Sequence, residues 1–299
     1  MGHSSGRGWG CQYRLRTVEC LLLFYILNIE RILKTYLLLI ITFCLCLVAL
    51  TGCNRGQNIG DIPTPASIEG MATAQVLTAV APPEGFRDFV SFPEVDANLQ
   101  QIQGGRYLVT LEFNGVFTST PRTTSATATA EVWFNQAGTR RVVVNIAGEL
   151  LGETDKHFEG VRLGTDSFLV KDNTCLSGGP DAVTAAGLRA GTLVGGTTHA
   201  TPAGEKATLN GQEAYKYNFT SADLNLPSIK LSDGGTVEAT GGELWVAPAI
   251  NAVIRFYVNL NVTNAIIFDR ALPVDGQVIV RYDLYDVGQT TNIAIPNGC

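Results

Sequence analysis

From residue 107 onward, apolar and polar positions alternate in short runs, and these runs predict a domain built mainly of β-strands. Residues 107–113 mix alternation with β-branched and aromatic side chains. Residues 126–134 and 140–146 follow, joined by Asn135-Gln-Ala-Gly138, which has the composition of a hairpin turn. Short strands are expected at 157–163 and 167–170. Longer ones are expected at 213–219, 242–247, 253–262 and 277–287, with 292–295 closing the chain. The pattern changes at 180–190, where Pro180 and an alanine-rich run predict a helix, and residues 191–205 read as a Gly/Thr-rich loop. Residues 87–103 are a helix candidate interrupted by Pro93. Nine or ten strands with one or two helices imply a meandering antiparallel sheet, and no fixed-period repeat points to a propeller or solenoid.

The N-terminal region has a different pattern. An apolar stretch at 20–29 is followed by Arg31 and Lys34, and then by an apolar run at 36–50. That run is shorter than the roughly 20 residues a membrane-spanning helix requires. A positive start, a short apolar stretch and small residues at the end describe a secretory signal. The run ends in Leu50-Thr51-Gly52-Cys53, which resembles the bacterial lipobox. The resemblance implies cleavage before Cys53 and attachment of a diacylglyceryl group to its thiol. The alternative is an uncleaved anchor, and residues 1–30 read as an over-extended start. The expected organisation is therefore a signal peptide at 1–52, a lipidated cysteine and flexible tether at 53–81, and one β-rich domain at 82–299. The remaining chain would lie on the extracytoplasmic face of the cell membrane.

Composition narrows the function. Charged residues make up 16% of the chain, the net charge is −6, and 45% of residues are hydrophobic. A nucleic-acid partner would call for a basic footprint that is absent. Removing 1–52 leaves the remainder more acidic, so membrane contact would come from the lipid rather than from a polybasic surface. Once Cys53 is lipidated, Cys175 and Cys299 are the two remaining cysteines. In an exported domain they are a disulfide candidate, the alternative being two unpaired thiols.

Catalytic chemistry has little support. There is no Gly-x-Ser-x-Gly elbow, and beyond residue 53 the histidines are His157 and His199. In the segment Glu153-Thr-Asp155-Lys-His157-Phe-Glu159, an extended backbone would put Asp155, His157 and Glu159 on one face, which would suit a hard divalent metal. The plainer reading is the solvent face of an edge strand carrying protective charges. No cofactor and no enzymatic activity are expected.

Three local motifs carry a family resemblance: Gly211-Gln-Glu-Ala-Tyr-Lys-Tyr217, Glu243-Leu-Trp-Val-Ala247, and Tyr282-Asp-Leu-Tyr-Asp-Val-Gly-Gln289 with Ile293-Ala-Ile-Pro296. With the lipobox and tether, they resemble the LppX/LprG-like lipid-carrier lipoproteins, which share a half-barrel with the LolA lipoprotein carriers. The resemblance implies a curved antiparallel half-barrel with one or two helices on its concave face, and an apolar cavity for acyl chains. The terminal Cys299 departs from the family pattern. Aromatic residues on the proposed strands, Phe113, Trp133, Tyr215, Tyr217, Trp245 and Phe256, are the candidates to line such a cavity, and ordinary core is the alternative for each. The expected function is to bind a lipid or other apolar ligand and carry it at the cell envelope, with a transport partner that the sequence does not name. The alternative is a non-catalytic interaction lipoprotein with a filled core.

Overall fold

A computed structural model describes residues 80–151, 156–268 and 272–299. The signal, Cys53 and all but the last two residues of the tether lie outside the described residues. Among the described residues there are thirteen strands: β1 (Val90–Phe92), β2 (Gly104–Phe117), β3 (Thr123–Asn135), β4 (Arg140–Ala147), β5 (Lys156–Leu163), β6 (Asp166–Lys171), β7 (Thr174–Ser177), β8 (Gly196–Leu209), β9 (Gln212–Asn218), β10 (Leu224–Asn225), β11 (Ile229–Ala247), β12 (Ala252–Ile267) and β13 (Val274–Tyr285). Two short helices, α1 (Gly179–Ala186) and α2 (Ala190–Val194), separate β7 from β8. The strands form one open antiparallel sheet in the order β1-β8-β9-β11-β12-β13-β2-β3-β4-β5-β6-β7, with β10 added beside β8. This is the mainly β half-barrel expected from the sequence.

Directly opposed residues in an antiparallel pair share a face, so the register defines the inner surface. One row runs Tyr217, Leu244, Phe256, Tyr282, Val109, Ala130, Val144, Phe158 across eight strands. Small and large side chains face each other along β2 and β3: Ala126 opposes Phe113, Ala128 opposes Leu111 and Ala130 opposes Val109. The alanine run thus leaves room for the bulkier side chains on the neighbouring strand. Both helices lie on this same face. A Cβ on Gly160 would meet the Ala185 carbonyl carbon at 2.7 Å, so only glycine lets α1 settle onto β5.

Several elements differ from the sequence expectation. The region 191–205 is largely strand: β8 has few buried apolar positions to reveal it, and it is held by pairing with β1, β9 and β10. β11 begins at Ile229, well before 242, and its first half is mostly solvent-facing. The helix expected at 87–103 is instead β1 and a 3-10 turn at Leu99–Gln101. Residues 292–295 form no strand. The helix expected at 180–190 breaks at Gly187, whose N–H bonds the Val183 carbonyl at 2.9 Å. A new helix starts at Ala190 because Asp96 accepts the N–H groups of Ala190 (3.0 Å) and Gly191 (2.9 Å). A carboxylate from the N-terminal segment supplies acceptors that the helix start otherwise lacks.

The disulfide between Cys175 and Cys299 is formed, with Cα atoms 5.3 Å apart. It fastens the C-terminus to β7, the last strand of the sheet.

Candidate functional site

The six aromatic candidates divide between the two faces. Phe113, Tyr215, Tyr217 and Phe256 have inner-face register, and Phe113, Tyr217 and Phe256 have no exposed surface. Phe256 packs on Phe219 with ring centroids 5.7 Å apart, and the Tyr217 hydroxyl donates to the Phe86 carbonyl at 2.9 Å. Tyr215 donates to Glu213 at 3.1 Å and lies beneath the Lys206 ammonium.

Trp133 and Trp245 lie on the outer face. Trp245 opposes Lys216 and Arg255, and Trp133 opposes Arg106 and Arg141. The Arg141 guanidinium sits 4.9 Å from the Trp133 ring centre, and the Lys216 ammonium 5.9 Å from that of Trp245. The same outer surface carries Arg255, which donates to Asp283 at 2.8 Å, and Tyr257, which donates to the same carboxylate. Burial, reinforced by that carboxylate, pushes the Tyr257 hydroxyl up to about 12.

His157 and Glu159 also share the outer face, on β5. That strand pairs with both β4 and β6, so it is an interior strand rather than the edge strand expected. Each side chain has a partner: His157 Nδ1 lies 2.7 Å from Asn145 Oδ1, and Arg141 donates to Glu159 at 2.7 Å. Asp155 lies outside the described residues. Among the described residues, no three His, Cys, Asp or Glu side chains are grouped to hold a metal.

A cavity of about 450 Å³ opens at a place the sequence did not mark. Its walls come from Asp96, the 3-10 turn (Leu99, Gln100), Ile102, the β3–β4 hairpin, Arg162 of β5, and Gly187 and Arg189 between the helices. Leu99, Ile102 and Phe134 form an apolar side, while Arg140, Arg162 and Arg189 supply three guanidinium groups. None of the six aromatic candidates lines it.

A buried polar network supports this cavity. Arg140 donates to the Tyr107 hydroxyl and to the Leu188 carbonyl. The Tyr107 hydroxyl also accepts the Ala190 N–H at 3.2 Å. Burial pushes the Tyr107 phenol up to about 12, against the opposing pull of the Arg140 charge. Arg189 donates to Glu94 at 2.7 Å and to Asp96 at 3.3 Å. Its partial burial works against the charged form, yet the Asp96 carboxylate holds the guanidinium above its ordinary value. These contacts join the N-terminal segment, the inner face of β2 and the start of α2. Arg140 stands out in the sequence only as a polar residue at the end of an apolar strand. The cavity depends on the break between α1 and α2, which the helix pattern hid.

No family model matches the chain, and no curated protein matches it. Among solved structures the chain is similar to LprF from Mycobacterium bovis, with 13% identity and a TM-score of 0.32 over 76% of this chain and 97% of that one. It is also similar to a putative outer membrane lipoprotein-sorting protein domain from Vibrio parahaemolyticus (9% identity, TM-score 0.20, 73% of this chain and 90% of that one). A DUF1329 family protein from Desulfovibrio piger matches at 6% identity and a TM-score of 0.20, over 75% of this chain and 94% of that one.

Proposed function

We propose that this chain is an exported lipoprotein, tethered to the membrane through Cys53, whose half-barrel binds a lipid-like ligand and carries it at the cell envelope. The cavity beside the β3–β4 hairpin is the observation that carries this reading. Its volume, about 450 Å³, is of the size that small-molecule sites occupy. Its lining joins an apolar wall to cationic groups, which is the chemistry of an amphiphile rather than of a purely polar solute. Acyl burial contributes about 0.8 kcal/mol per CH₂, so a partly inserted chain would bind without any covalent step. The export signal, the lipobox resemblance and a disulfide suited to an oxidising compartment support the envelope location. The role is binding and carriage, not catalysis.

A second reading is favoured by one specific observation. Phe113, Tyr217 and Phe256 are wholly covered by the protein itself, which fits a filled core and an interaction lipoprotein without a ligand. Mass spectrometry of organic extracts separates the two. The full chain carrying Cys53→Ser, purified without its own acyl groups, should release a lipid in near-stoichiometric amount under the first reading. An extract free of lipid selects the second. Cell fractionation tests the tether: the native chain should partition with membranes and the Cys53→Ser chain should not.

A further inference from the structure

The electrostatics of the cavity are out of keeping with the rest of the molecule. The chain has a net charge of −6, yet three arginines line this one space. Its one lining carboxylate is already engaged: both Asp96 oxygens accept hydrogen bonds, from Arg189, Ala190 N–H and Gly191 N–H. Arg189 is balanced by Asp96 and Glu94. Arg140 and Arg162 are not: among the described residues neither has a carboxylate within ion-pair distance. Arg162 bonds only the Gly138 carbonyl, at 3.3 Å, and Arg140 bonds a phenol and a peptide carbonyl.

Two donors of lining residues are also unused. Arg140 Nε and Thr139 Oγ1 are shielded from solvent and have no hydrogen-bond partner among the described residues. A buried guanidinium nitrogen without an acceptor is costly, because desolvation is not repaid. An anion in the cavity would balance the charge of Arg140 and Arg162. The fork of an arginine beside a hydroxyl suits the tetrahedral oxygens of a phosphate.

We infer that this cavity is an anion site that takes a phosphate group, and that the ligand it serves is a phospholipid held by its headgroup. The inference rests on the ligand-binding reading above and gives it a polarity. The phosphate docks against Thr139, Arg140 and Arg162. The glycerol end of the acyl chains lies against Leu99, Ile102 and Phe134. Affinity should therefore depend on headgroup charge, and it should weaken as salt screens the exposed Arg162 contribution.

Three probes test this on the full chain carrying Cys53→Ser: a short-chain phosphatidylglycerol, the diacylglycerol of the same chain length, and inorganic phosphate, each titrated by calorimetry. The expected result is that phosphatidylglycerol binds on the order of tenfold or more tightly than diacylglycerol, the scale of a lost charge-assisted hydrogen bond. Inorganic phosphate should bind weakly and compete with it. Arg140→Gln should remove the preference. Because Arg140 also supports Tyr107 and Leu188, Arg162→Gln serves as a second variant: it touches only the hairpin carbonyl, so it should lower the preference severalfold with the thermal midpoint unchanged. Equal binding of both lipids, unaffected by Arg162→Gln, overturns the anion site and leaves the lipid reading standing. Binding of inorganic phosphate but of neither lipid overturns the phospholipid assignment, together with the lipid reading. Binding of none of the three overturns the site itself.

Discussion

Asp96 accepts the backbone N–H groups of both Ala190 and Gly191, from a position 94 residues before Ala190 in the chain. This single carboxylate joins the N-terminal segment to the start of α2 and fixes one wall of the cavity. It is 5% exposed, so it has little water to fall back on. Replacing it with alanine leaves the two amides without acceptors and leaves Glu94 as the one carboxylate on the Arg189 guanidinium. Asp96→Ala should cost about 2–4 kcal/mol, from the loss of buried charged hydrogen bonds. Urea unfolding followed by tryptophan fluorescence measures it, and an unchanged midpoint would contradict the assignment.

The seating of α1 on β5 is a steric matter. Gly160→Val places atoms where the Ala185 backbone already is, so α1 must move away. The expected cost is about 1–3 kcal/mol, as for overpacking. Amide exchange should quicken across residues 179–186 and stay unchanged in β12.

Phe113 and Trp133 respond differently to truncation. Phe113→Ala opens a hole in a fully buried row and should cost about 3–5 kcal/mol. Trp133→Ala removes a half-exposed ring that stacks with Arg141 on the outer face, and should cost under about 1.5 kcal/mol. Thermal denaturation of the two variants side by side decides it. Equal losses would mean that the outer face is as tightly packed as the inner one.

The Cys175–Cys299 bond spans 124 residues. In the chain-entropy treatment a loop of that length stabilises the fold by about 4–5 kcal/mol. Treatment with reductant, or Cys299→Ser, should lower the denaturation midpoint accordingly, and Cys53→Ser should not. Mass mapping of non-reduced peptides provides the direct check.

Stability should fall steeply above pH 10. The Tyr107 phenol ionises near 10 when unfolded and near 12 when buried in the native chain, so the native state holds that proton more tightly. Its contribution of about 2–3 kcal/mol is complete below pH 10 and is lost as the pH rises through 12. Burial also raises Tyr282, which packs on Tyr107 with ring centroids 5.6 Å apart, well above its ordinary value. Tyr107→Phe should flatten the alkaline limb of a stability–pH curve, and an unaltered limb would rule out this origin.

The sequence reveals strands where one face is buried and the other wet. β2 alternates from Tyr107 to Phe113, and it was readable for that reason. β8 and the first half of β11 are held by backbone pairing with few core-facing side chains, so alternation had little to report. The faces of Trp133 and Trp245 were hidden for the opposite reason. Trp133 stands between Val132 and Phe134, and Trp245 between Leu244 and Val246, so an unbroken apolar run carries no parity. The cavity was missed because it depends on contacts between distant segments, Asp96 with Ala190 and Arg140 with Leu188. No local spacing encodes such pairs.

The sheet order has a consequence for how the chain is made. β13, the last strand, lies between β12 and β2, and its residues Val274–Tyr285 pair in unbroken register with Arg106–Phe117. Until residue 285 emerges, the sheet exists at most as two unjoined halves, each with an open flank. Such long-range closure is slow. Strand β13 therefore acts as a timer: the polypeptide stays pliable until this strand arrives to join the two halves.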